Sequence, residues 1–177
     1  GMELCTSEEV HVVCLFDDVK NAEDFSEYVL STVPPVKNRP EIFGDQIIMD
    51  EGDGIMGTQE LLLTTASGIS IENAVQIVGE YGGICYPAHI DRNSYSVISN
   101  LGMITPEMNF NAVEMTEKAN QNEYKEKYPI IKNMPVFVSS DAHYLENMNE
   151  AKHTINVPEN SAKAIVEHMK KRSHDYR

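Results

Sequence analysis

The chain is short of positive charge. Its 177 residues carry 14 lysines and arginines against 28 aspartates and glutamates, a net charge of −14 and a pI near 4.7. So acidic a surface repels a phosphate backbone, which argues against general nucleic-acid binding. It also repels a small phosphorylated substrate, unless bound cations reverse the sign locally. Cysteine is scarce and odd in number. Cys5, Cys14 and Cys85 lie in apolar, strand-like contexts and show no C-x-x-C spacing. They read as buried free thiols of a reducing cytoplasm, and nothing in the spacing supports a Cys ligand. No apolar run approaches a membrane span and no signal-peptide pattern opens the chain, so no membrane partner is expected. Neither G-x-G-x-x-G nor G-x-x-x-x-G-K-[ST] occurs, so neither a dinucleotide fold nor a P-loop enzyme is indicated. What is present, 41% hydrophobic and 24% charged residues, suits one globular domain with a sizeable core.

Along the chain, strand-like and helix-like stretches alternate. His11–Phe16 is a near-continuous apolar run, the pattern of a strand buried on both faces in a parallel sheet. A helix capped by Asn21 follows and stops at Pro34-Pro35. Two apolar runs flank the Gly/Asp cluster of residues 50–54, which predicts a β-hairpin over 45–58, read as a surface insertion. Its acids are of the type found in calcium loops, but the spacing does not match one. Helices are expected over 59–66, after Ser70, over 116–128 and after Ser161, with strands over 84–87, 110–115, 136–138 and 154–157. Buried strands alternating with helices imply a parallel sheet or barrel, whose ligands sit beyond the carboxyl ends of the strands.

Two of these strands end in chemistry. Val136-Phe137-Val138 runs into Ser140-Asp141-Ala142-His143, and an i, i+2 pair at a strand end projects from one face. Asp141 and His143 are therefore a candidate metal-ligand or acid/base pair, or simply residues of a polar turn. Ile84-Cys85-Tyr86-Pro87 repeats the pattern and ends in His89, Asp91 and Arg92. Glu3 lies near another strand end. His11 opens its strand instead of closing it, and reads equally as a core histidine. Glu114, inside a strand, needs a partner, for which a structural hydrogen bond is the simpler role. His153, His168 and His174 have no motif around them, and the last two fall in a charged, solvated tail.

Together these residues resemble the PHP family, named for polymerase and histidinol phosphatase. The resemblance rests on Gly1-Met2-Glu3, on His11 leading its apolar run, on Gly83 through Arg92 (the family's G-x-x-x-x-A-H-P-x-R, with Ile90 in place of proline) and on Ser140-Asp141-Ala142-His143. It implies a distorted (β/α)7 barrel with two or three divalent metals, zinc, manganese or iron. Glu3, His11, His89, Asp141 and His143 would be ligands, and Arg92 would hold a substrate phosphate. The implied reaction is phosphoester hydrolysis by metal-activated water, with no side-chain nucleophile. The substrate would be a small phosphorylated molecule or a nucleotide end. The chain departs from the family in lacking any H-x-H. With Glu3 at its very start, roughly the first third of a barrel is expected to be missing, by the closed strand count such barrels need. An open sheet edge favours self-association, so a homo-oligomer is a further expectation. Two alternatives stay open: a truncated or inactive module with a binding role, and a related metal-dependent hydrolase of C–N bonds.

Overall fold

A computed structural model of the protein describes residues 1–172, so the expectation for His174 lies outside the described residues. Three small sheets carry the architecture. Strands β1 (Met2–Cys5), β2 (His11–Leu15) and β5 (Ile84–Pro87) form the central one, in the order β1-β2-β5. Both of its pairings are antiparallel. Strands β3 (Ile47–Met49) and β4 (Ile55–Thr58) make an antiparallel hairpin of their own. Strands β6 (Val113–Thr116) and β7 (Val136–Ser139) pair in parallel.

The described residues do not close into a barrel, so the (β/α)7 expectation is corrected. Closure needs every strand bonded on both sides in one continuous circuit. Here the strands are three to five residues long and fall into three separate sheets. The run at 11–16 misled because burial on both faces carries no strand direction. Val12 and Cys14 enter the main core with Leu4 and Cys85. Val13 and Leu15, on the opposite face, pack on a smaller cluster around Tyr86, Ala112 and Met169. Direction is set by the connection instead. Only residues 6–10 join β1 to β2, too few for a parallel crossover, which needs a dozen or more.

Helices cover the central sheet. α1 (Val19–Thr32) buries Phe25 against Phe16 and Tyr81, at ring-centroid distances of 5.1 and 5.5 Å. Its cap is Asp18, whose carboxylate accepts from Asn21 N at 2.8 Å. The expected cap, Asn21, instead donates its amide to Asp17. After the short α2 (Pro40–Phe43), α3 (Ile71–Glu80) lays Ile71, Ala74 and Val78 into the core. Gly83 then enters β5 where a Cβ would lie 2.7 Å from the Phe16 ring and 2.8 Å from the Leu15 carbonyl. Only glycine fits that approach. α4 (Val97–Leu101) and α5 (Gln121–Lys127) are short, and α6 (Ala162–Arg172) closes the described chain. Residues 59–66 and 154–157 form neither the helix nor the strand expected of them. None of the described helices is long and apolar enough to cross a membrane.

Candidate metal centre

The antiparallel register assembles the site. Cys5 faces His11 across the β1–β2 ladder and Glu3 faces Val13, so Glu3 and His11 are diagonal neighbours on one sheet face. That spacing is within reach of long side chains. On the other side of β2, Val12 pairs with Pro87, and Ala88 N donates to His11 O at 3.0 Å. The start of β2 therefore lies beside the end of β5. An antiparallel strand brings its first residue where parallel strands bring their last, which explains how His11 joins the group.

His89 sits just past β5 and is fixed from β6. Its backbone N–H donates to Glu114 Oε2 at 3.3 Å. The next residue, Ile90, donates to Glu114 O at 2.9 Å. Asp91 then accepts from both the amide and the hydroxyl of Thr116, at 2.8 and 2.6 Å. These bonds hold His89 at φ 30°, a conformation that L-residues rarely adopt and that persists only where the surroundings enforce it.

The result is one carboxylate oxygen between two imidazoles. Glu3 Oε1 lies 3.1 Å from His11 Nδ1 and 3.3 Å from His89 Nε2. One donor atom from each of the three residues lies within 4.8 Å of the others. The Tyr95 ring stacks on His11 at 4.6 Å and 19°, and the Tyr95 carbonyl accepts from His11 N. Electrostatics follow from these contacts. Hydrogen bonds from His11 and His89 hold the Glu3 carboxyl well below the usual carboxylate range. The neighbouring Cys5 sulfur and the Glu3 carboxylate raise His11 to about 9, so without a metal it is an imidazolium at neutral pH. Burial pushes Glu114 up to about 7.

A divalent cation fits this donor set. Two imidazoles and a carboxylate suit zinc, manganese or iron. His89 is only 3% exposed, yet its Nδ1 has no hydrogen-bond partner among the described residues. The nitrogen that faces Glu3 is Nε2, so the unpartnered Nδ1 belongs to the other edge of the ring, and the fit of a cation rests on Glu3, His11 and His89 Nε2.

The remaining predicted residues are arranged differently. Asp141, at φ 47°, is bound through Oδ2 to Arg92 Nη1 at 2.7 Å, so Arg92 meets a carboxylate of its own chain. His143 is exposed over 72% of its side chain. Its Nδ1 lies 3.0 Å from Asp141 O and 3.9 Å from Asp141 Oδ1. Neither residue is part of the group formed by Glu3, His11 and His89. Glu114 has the structural hydrogen bond expected of a buried strand carboxylate. Sequence reasoning missed Asp91 and Tyr95 as positioning residues. The acid two after His89 was visible, but only the β6 register shows what it holds.

A family model described as PHP-associated matches residues 120–173, under a third of the chain. The match supports a relation to PHP-domain proteins, and it spans Asp141 and His143 but not Glu3, His11 or His89. No curated protein and no solved structure matches the chain.

Proposed function

We propose that this chain, with its PHP-associated stretch, binds a divalent metal through Glu3, His11 and His89 and serves metal-assisted phosphoester hydrolysis. The observation that carries this reading is the convergence of the three donor atoms within 4.8 Å around a buried imidazole. A bound cation would supply Lewis acidity toward water and charge compensation for a phosphoryl group. It would also answer the charge problem of an acidic protein acting on an anion. Around it, Asp91 and Glu114 hold His89 in place, while Tyr95 fixes the plane of the His11 ring. Asp141 and Arg92 would provide a second carboxylate and a fork for phosphate, once their mutual ion pair is exchanged for those partners.

The test couples metal content to turnover. Purified chain is analysed for zinc, manganese and iron, then assayed against aryl, sugar and nucleoside phosphates. Metal at one or more equivalents, with turnover abolished by chelation and by His89→Ala, supports the reading. Absence of metal after exposure to all three ions would sink it.

A second reading is a non-catalytic module with one structural metal. The Arg92–Asp141 pair favours it, because it engages the residue assigned to phosphate. Stoichiometric metal without turnover on any phosphoester would select it.

A further inference from the structure

Among the described residues, a sizeable cleft lies away from the metal donors. It has a volume of about 920 Å³ and runs between the beginnings of β5 and β7, with the segment 152–156 and α6 on its other side. None of Glu3, His11 and His89 lines it. Each of those strands is four residues long, so cleft and donors lie roughly 10 Å apart at 3.3 Å per residue.

Its chemistry differs from the rest of the surface. Lys152, His153, His168 and Lys170 line it, and its described lining contains no aspartate or glutamate, in a chain with 28 acids. Its floor is apolar, with Ile84 and Phe137 from the two strands. The Lys152 ammonium is 3.5 Å from Glu117, a pair in which both side chains are largely exposed. Such pairs are weak, so a ligand anion can compete for the lysine. Lys170 is anchored at the rim by its bond to the Gly82 carbonyl at 2.7 Å. A cleft of this size with an apolar floor and a few convergent polar groups has the form of a small-molecule site. In a molecule of net charge −14, a wall lined by two lysines and two histidines, with the neighbouring acid Glu117 held only in an exposed pair, gives an anion a local attraction that the acidic surface denies it.

We propose that this cleft binds a small organic anion: an aromatic or aliphatic body lying on Ile84 and Phe137, with its acidic group toward Lys152 and His153. The site is separate from the metal donors and does not depend on a metal.

The probe is 8-anilinonaphthalene-1-sulfonate, titrated by fluorescence into the full chain with EDTA present, so the result is independent of the metal reading. Its uncharged analogue N-phenyl-1-naphthylamine is titrated alongside. The expected result is one equivalent of the sulfonate, bound at least tenfold tighter than the analogue and weakened by sodium chloride. The double variant Lys152→Glu, His153→Glu should weaken the sulfonate at least tenfold and leave the analogue unchanged. Both positions are exposed, and circular dichroism checks the variant's fold. Equal binding of the two probes, uptake of several equivalents, or unchanged sulfonate affinity in the folded double variant would overturn the proposal. The comparison of probes on the unaltered chain decides the matter even if the double variant does not fold.

Discussion

Two clusters of site residues lie at strand ends, and they are built in different ways. Glu3, His11 and His89 are set by the two ladders of the central sheet and by four hydrogen bonds from β6 and Thr116. Asp141 and His143 lie in the turn after β7, tied to each other by the contact of His143 Nδ1 with Asp141 O and to the loop after β5 by the ion pair with Arg92. Both clusters carry a residue at positive φ, His89 in one and Asp141 in the other. Only in the first does the surrounding backbone over-determine it. The motif supplies the residue types, and the pairing of neighbouring strands decides whether they converge.

The sharpest way to break this comparison is to remove one histidine from each cluster. His89→Ala takes a buried ligand from the first and should lower divalent-metal affinity by on the order of 100-fold or more, since even residues behind a ligand cost 10 to 100-fold. His143→Ala removes a side chain that is 72% exposed, and should change affinity less than about threefold. Isothermal titration with zinc or manganese compares them directly. Equal losses would mean that the turn after β7 closes onto the metal and that the two clusters act as one.

Glu114 tests the next level, the support behind His89. Its carboxyl is raised to about 7 by burial, above the ordinary value of 4.5. The folded state therefore holds the proton more tightly than the unfolded chain. This disfavours folding increasingly as pH rises from 4.5 through 7, with the full effect above that. In Glu114→Gln the amide oxygen can still accept from His89 N–H. The metal-free variant should therefore match the parent near pH 4 and exceed it by about 3 kcal/mol at pH 8. Denaturant melts at the two pH values measure the difference. A variant weaker at pH 8 would show that ionised Glu114 is needed to hold His89.

What could be read from the sequence follows the same division. The hydrophobic periodicity of 71–78, the buried Glu114 and the burial of Cys14 and Cys85 are legible, because burial leaves its mark on residue type, whereas Cys5, expected to be buried with them, is only half-buried. The direction of β2 was not legible from its apolar run, although the short link at 6–10 carried that information. His11 is out of place only in a parallel sheet; the antiparallel pairing of β1, β2 and β5 brings it to Glu3 and His89. The clamp from Asp91 to Thr116 spans 25 residues and depends on the β5–β6 approach, which no local pattern encodes. Residues 59–66 have helix-compatible spacing, but Gln46 claims their neighbourhood, donating to the carbonyls of Gln59 and Leu61. Tertiary hydrogen bonds there outweigh a weak propensity.

Proton linkage sharpens the picture of the first cluster. His11 is held near 9 by the Cys5 sulfur and the Glu3 carboxylate, so a metal must displace a proton to reach the ring. Below pH 9 the apparent affinity should rise with pH, approaching about tenfold per unit if one proton is released. The rise should level off above 9. Calorimetry in buffers of different ionisation enthalpy counts the proton directly. A flat profile between about pH 6 and 8 would mean that His11 stays protonated and outside the coordination shell.

The smallest effect belongs to the second cluster. Arg92 and Asp141 meet at 2.7 Å; the Asp141 side chain is 14% exposed but that of Arg92 42%, so solvent reaches the pair from the arginine side and screens it in part. Arg92→Gln should lower stability by less than about 1 kcal/mol, with little change in metal affinity. If Arg92 serves a phosphate, the same variant raises KM for a phosphorylated substrate and leaves kcat closer to the parent value, as loss of ground-state binding does. A stability loss of several kcal/mol would reverse the contrast between the clusters. It would make the Arg92–Asp141 pair a structural tie between the loops after β5 and β7, with Asp141 held for that purpose and not kept available to a metal.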